Sequence, residues 1–415
     1  MSPFDIFIFA SFLTEIGFLS VMEYKIWGTL YTPLNILMLP SAFVVVVCVV
    51  AVPLFQLYPF YFPSLLIWEA GLAVFFLPSL FFSSFVDGSC ILTQLPKYEL
   101  PAPKLFFWGT MGVILVYFYH LKSVLASSTA GLGSEDFASE SSGGGLWSHL
   151  FVLCFMLEII CFSYISRKRW YFIIPILLVV AACVLNQVKG WILIPLLAGL
   201  MSQIFAGRLR ITPRLVLLTL IGGASFFFLS YYLSLVVSED KELTNDFMFF
   251  IFKNFFHYLS SGFLGLSMDC DMGIIEQQSV EYLFTPFINI YNLFSGDPLL
   301  SNLNTHYLGT SWPGLQNNIR SFMGTIYVFG GPWFFVLVVL LVSTVAYWFR
   351  ILLLRKKSLT WLLIDAWFCS FLFMGWFDYY FALLKPFEVI GMLIIFGLAM
   401  RFFKLDTIDV EPQPT

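Results

Sequence analysis

Residues 33–55 read PLNILMLPSAFVVVVCVVAVPLF and contain no charged side chain. A helix needs about 20 apolar residues to cross the hydrocarbon core of a bilayer, and this run supplies them. Further stretches of the same kind lie at roughly 4–22, 61–84, 104–126, 147–166, 170–187, 190–206, 213–237, 321–348, 359–383 and 386–403. The pattern predicts an all-α fold, a polytopic transmembrane helical bundle of about eleven spans, within a range of about 10–12.

Composition points the same way. Of 415 residues, 60% are hydrophobic, 20% aromatic and 11% charged, whereas a soluble domain carries about 25% charged residues. Such a chain cannot cover a water-facing surface, which excludes a cytosolic enzyme, a nucleic-acid binder and a disordered scaffold. The seven cysteines form no CxxC pair and most lie in apolar runs, where a thiol acts as a small hydrophobe. The opening MSPFD lacks the basic segment of a cleavable signal peptide. Residues 1–415 therefore read as a single integral membrane domain.

Orientation follows from Lys and Arg. With eleven spans, most of the 21 cations fall on one side, among them Arg167, Lys168, Arg169, Arg208, Arg210, Arg214, Arg355, Lys356 and Lys357. That side is expected to be cytoplasmic, with 404–415 as a cytoplasmic tail and the N-terminus outside. The opposite side keeps Lys122, Lys189, Lys241, Lys253, Arg320 and Lys385. It also holds two loops. Residues 127–146, with SSTAGLGSEDFASESSGGG, read as a flexible Ser/Gly loop. Residues 238–320 form a large extracytoplasmic loop, rich in aromatics and too long to be structureless without a role.

The first part of that loop, NDFMFFIFKNFFHYLSSG (245–262), puts Asp246, Lys253, Asn254 and His257 on one helical face, with Phe, Met and Ile elsewhere. This predicts a short helix lying in the interface, and EYLFTPFINIYNLFSGD (281–297) predicts a second. The plainer alternative is that both only cover the bundle. Asp269, Cys270 and Asp271 are followed by no further ligand at metal spacing, so no metal is expected. The loop ends NNIRSFMGTIYVFGGPW (317–333). Arg320 sits where the chain re-enters the membrane; it either snorkels to headgroups or grips a phosphate with its planar fork. Lys189, in the tight external turn VLNQVKGWILIP (184–195), either caps the preceding helix or supplies a second anion contact.

Several of these segments resemble a family. TPLNILMLP (32–40), the short turn with Lys189 and Gly190, FFHYLSSGF (255–263), and Asn318, Arg320, Tyr327 and Gly330 are similar to bacterial O-antigen and capsule polymerases, the oligosaccharide repeat-unit polymerases of the Wzy type. The layout covers most of the chain; the sequence signals cover about 178–206 and 250–335. One departure is Lys189, where members commonly carry Arg; a Lys is a point charge and cannot fork around a phosphate.

The resemblance implies a GT-C-like polymerase/ligase architecture in the bacterial cytoplasmic (inner) membrane. It implies transfer of a glycan from one undecaprenyl diphosphate carrier to the non-reducing end of a repeat unit on another, with no cofactor. The implied partners are undecaprenyl-diphosphate-linked oligosaccharides and membrane lipids, with a flippase and a chain-length regulator as accessories and no nucleic acid.

For such a reaction, cations must stabilise the departing diphosphate, and Arg320, Lys189 and Lys253 are the candidates. A base near neutral pH must take the acceptor proton; His257 is the first choice, with His306 and Asp269 in reserve. Tyr258, Asn318 and Tyr327 are expected to touch substrate. Rival readings are an O-antigen ligase and a flippase or secondary transporter. The transporter would use the intramembrane acids Glu15, Glu69, Glu158, Asp365, Asp378 and Glu388, although no internal repeat is visible. A glycosyltransferase using polyprenyl phosphate sugars would need an acidic motif in the first external segment, which reads QLYPF (56–60).

Overall fold

A computed structural model describes residues 1–85, 102–127, 140–141, 145–186, 189–231, 245–273, 280–301, 308–311 and 315–402. Every apolar stretch predicted from the sequence holds a helix. In chain order they are α1 (Pro3–Trp27), α2 (Pro33–Leu54), α3 (Leu65–Ser83), α4 (Pro103–Ser127), α5 (Leu146–Ser163), α6 (Ile173–Leu185), α7 (Lys189–Phe205), α8 (Pro213–Tyr231), α9 (Asn245–Asp271), α10 (Thr285–Ser295), α11 (Phe322–Lys356), α12 (Leu359–Phe373) and α13 (Lys385–Phe402). Among the described residues, eight helices are long and apolar enough to cross a membrane, the pattern of a polytopic helical membrane protein. A small antiparallel hairpin, β1 (Leu308–Ser311) and β2 (Leu315–Asn317), pairs Leu308 with Asn317 and lies inside the long loop. The aromatic pattern of that loop gave no sign of it.

Helix ends follow local chemistry. Ser2 and Asp5 form a capping box around Pro3 at the start of α1, and Gly28, in the left-handed region, ends it. Thr32 caps α2, with Pro33 as its first residue.

The helices group into two compact units. The first comprises Met1–Ile91, Phe252–Leu354 and Phe371–Pro386. Its core contains a polar knot that hydropathy cannot reveal. Glu23, fully buried in α1, accepts hydrogen bonds from Ser79 and from the Tyr347 hydroxyl (3.0 Å), while the Trp27 indole donates to Ser79 at 2.8 Å. Arg350, also buried, donates to the Tyr31 carbonyl. Hydrogen bonds of this kind lower the cost of burying such polar groups, yet Glu23 was not among the acids singled out above.

Two span boundaries shift in this unit. Residue Gly331 of α11 has φ 64° and ψ −179°, and Pro332 follows it. Glycine alone takes that backbone readily, and proline cannot continue the hydrogen-bond ladder. The stretch expected as one span over 321–348 is therefore a buried half-helix, 322–330, followed by the span proper, 332–356. The span expected over 359–383 also ends early: its helix closes with a turn at Met374–Trp376. Next to it, the Asp378 carboxylate accepts the N–H of Tyr379 at 2.7 Å, a local bond that competes with helix continuation. Asp378 thus lies outside the span.

The second unit comprises Leu92–Ile251, Arg355–Ser370 and Phe387–Thr415. Tyr117 stacks on Phe151 at 4.7 Å and accepts a 2.9 Å hydrogen bond from Asn186. Gly199 lies so close to the Phe162 ring that a Cβ there would meet it at 2.4 Å. At the N-terminal ends of α5 and α13, His149 meets Glu388 at 2.6 Å. Most of the Ser/Gly loop 127–146 and the tail 404–415 lie outside the described residues.

Candidate functional site

Helix α9 is built inside out. Phe249, Phe250 and Phe252 are exposed, while Asn254, His257, Ser260, Ser261, Ser267 and Asp269 are buried. The shared polar face expected for Lys253, Asn254 and His257 exists and turns inward; the side chain of Asp246 lies outside the described residues. At 27 residues the helix is longer than the short interfacial element expected.

Two glycines let other backbone reach this face. A Cβ on Gly262 would sit 2.2 Å from the Trp376 carbonyl oxygen, and one on Gly265 would sit 2.0 Å from that of Ile319. In the space so opened, the N–H of Ser321 donates to the Gly262 carbonyl at 2.8 Å. The amide of Asn317 donates to the Ser261 carbonyl at 2.7 Å, and its oxygen accepts the N–H of Ile319 at 2.9 Å. The Trp68 indole donates to Ser321 at 2.9 Å and its ring stacks on Phe263. Helix α9, residues 317–325 and residues 376–379 converge here.

Three ionisable groups meet at this convergence. Arg320 grips Asp269 with two hydrogen bonds, Nε to Oδ2 at 2.6 Å and Nη2 to Oδ1 at 3.1 Å, and neither side chain is exposed. The Thr325 hydroxyl lies 2.8 Å from the Arg320 carbonyl oxygen and 3.2 Å from Oδ1 of Asp378. Asp378 is half-buried. Its carboxyl is pushed up to about 6, chiefly by burial, against the opposing pull of the Tyr379 N–H, Thr325 and the Arg320 charge.

The structure therefore brings together two of the residues expected from sequence, Arg320 and Asp269, but as partners of one another. Asp269 cannot serve as a base while both of its oxygens accept from a guanidinium. His257 is elsewhere. It precedes Asp269 by three turns of α9, about 18 Å at 1.5 Å per residue. Only 4% exposed, it is held down to about 4, first by burial and then by the Lys253 charge one turn away.

Of the remaining candidates, Tyr258 is half-buried and stacks on Phe377 at 6.5 Å. Tyr327 is half-buried against Phe335, edge to face. Asn318 is half-buried, but it is its neighbour Asn317 that latches the loop to α9. Lys189 opens α7 in the second unit. His306 lies outside the described residues. Among the described residues no group of three His, Cys, Asp or Glu side chains converges to hold a metal. Sequence reasoning missed Asn317 and placed Asp378 in a span; the only signal was the unusual Asp within the aromatic run GWFDYYF (375–381).

Comparison with known proteins adds one result. A family model described as "Family of unknown function (DUF6337)" matches residues 56–405, which include Lys189, Lys253, His257, Asp269, Arg320 and Asp378. No curated protein and no solved structure matches the chain.

Proposed function

We propose that this chain, which belongs to the family DUF6337, is a membrane glycosyltransferase that joins lipid diphosphate-linked oligosaccharide units at the outer face of a bacterial cytoplasmic membrane. The proposal includes the finer topology of about eleven spans with the long loop outside. The observation that carries it is the buried Arg320–Asp269 pair, set beside Asp378 where the long loop re-enters the bundle. A guanidinium held in a planar fork by a carboxylate is already shaped for a phosphate. The lipid diphosphate would share the Arg320 guanidinium with the Asp269 carboxylate, so that neither buried charge is left without its partner.

The spacing along α9 supports two substrates. Lys253 precedes Asp269 by about 24 Å on a straight helix. Donor and acceptor each carry a diphosphate, and the acceptor reacts at the far end of its glycan. Two cations separated by the length of a short oligosaccharide suit that arrangement, with Arg320 on the donor and Lys253 on the acceptor carrier. His257, uncharged at neutral pH, leaves Lys253 as the sole cation of its turn.

The second reading is a transporter of the same lipid-linked glycan. The broken helix at Gly331 and Pro332 favours it, since broken helices line substrate sites in transporters. Depletion of the chain from cells that still make the repeat unit separates the two. The polymerase reading requires surface glycan reduced to single repeat units. Repeat units trapped on the inner leaflet would favour transport, and unchanged long glycan would contradict both.

A further inference from the structure

We propose that Asp378 is the base that takes the proton from the acceptor hydroxyl, a glycan hydroxyl presented beside Arg320. This rests on the transferase reading above and assigns its proton-transfer step.

The geometry of Thr325 is the starting point. Its hydroxyl has one proton and two acceptors in reach, the Arg320 carbonyl at 2.8 Å and Asp378 Oδ1 at 3.2 Å. With Asp378 ionised, the two acceptors compete for that proton. Oδ1 also accepts the Tyr379 N–H at 2.7 Å, so these bonds hold the ionised carboxylate in place beside the Arg320 backbone, where it can receive a proton.

Access and affinity agree with this role. Asp378 is half-buried, whereas Asp269 and Arg320 are sealed. A carboxyl raised to about 6 is mostly ionised at pH 7, yet a far stronger base than an ordinary aspartate. Among the described residues, the charged and titratable groups near it are Arg320, which pairs with Asp269 of α9, Tyr379 and Tyr380 on its own segment, and Tyr258 of α9, which stacks on the neighbouring Phe377. The turn Val280–Phe284, packed on Tyr380–Ala382, adds Glu281 and Tyr282.

The step balances as a single displacement. The Asp378 carboxylate takes the hydroxyl proton, and the hydroxyl oxygen forms a new bond to the anomeric carbon. The bond from that carbon to the diphosphate oxygen breaks, its electron pair leaving on the lipid diphosphate. The proton then passes from Asp378 to water. One displacement inverts the anomeric configuration.

The test uses purified full-length protein in detergent or nanodiscs with a lipid diphosphate-linked repeat unit. Wild type is expected to lengthen the glycan with a rate that falls below about pH 6. Asp378→Asn should lose at least about 100-fold in rate while still binding the substrate, and Asp378→Glu should keep part of the rate with a shifted pH profile. Infrared titration gives a readout independent of activity: a carboxyl titrating near 6 should vanish in Asp378→Asn. Wild-type rate and pH profile in Asp378→Asn would overturn the assignment. Absence of lengthening by wild type would instead overturn the transferase reading.

Discussion

Arg320 and Asp269 form a two-point ion pair, 2.6 and 3.1 Å, with no exposure of either side chain. The pair ties the start of the half-helix 322–330 to the end of α9. Removing one partner of a buried pair costs about 3–5 kcal/mol, because the other charge is left without compensation. Arg320→Ala and Asp269→Ala should each lower the unfolding midpoint in detergent by that measure. The double replacement Arg320→Met with Asp269→Leu should regain much of the stability and none of the glycan lengthening. Lengthening by the double variant would show the pair to be structural only.

His257 gives a stability prediction with a definite sign. Its value falls from the ordinary 6.5 to about 4, so the folded chain binds fewer protons there than the unfolded chain. Its contribution is fully present above pH 6.5 and is lost as pH falls from 6.5 through about 4, amounting to at most about 3 kcal/mol. Thermal unfolding measured across that window should show the loss in wild type and a flatter profile in His257→Gln. Identical slopes would remove His257 as the cause.

Close approach at Gly262 and Gly265 is testable by adding one methyl. A Cβ would stand 2.2 Å from the Trp376 carbonyl or 2.0 Å from that of Ile319, both backbone atoms with little room to give. Gly262→Ala and Gly265→Ala should each cost about 1–3 kcal/mol. Gly109→Ala in α4, where nothing lies within 4 Å, is the control and should not lower stability, since Ala is the better helix former by about 0.5–1 kcal/mol.

The break in α11 depends on Gly331 at φ 64°. Gly331→Ala should strain the backbone by about 1–3 kcal/mol and move the half-helix that holds Thr325 and follows Arg320. Proteolysis in detergent should then cut the 315–332 region faster than in wild type.

The membrane fold was legible because each span writes its own apolar run, and the residues that cap α1 and α2 stand in plain sequence order. The site was legible only in pieces. Arg320 stood out as a cation beside a re-entry, but its partner lay 51 residues earlier, and no pattern in one sequence pairs residues that far apart. Asp378 was read as intramembrane because WFDYYFALL (376–384) is apolar enough to prolong a span; the competing bond to the Tyr379 N–H is a three-dimensional fact. His257 was chosen for its place on the polar face of a predicted helix, and only the structure shows that face turned inward with the imidazole buried. Glu23 escaped notice because it sits in the last part of α1, where an acid reads as a helix end rather than as the centre of a buried knot.

The most direct measurement is chain growth by the purified protein alone, given one synthetic lipid diphosphate-linked repeat unit and no nucleotide sugar. The transferase reading requires a ladder at multiples of the repeat unit, with one lipid diphosphate released for each bond formed. Repeat units that bind or cross a vesicle bilayer unchanged, with no lipid diphosphate released, would contradict it.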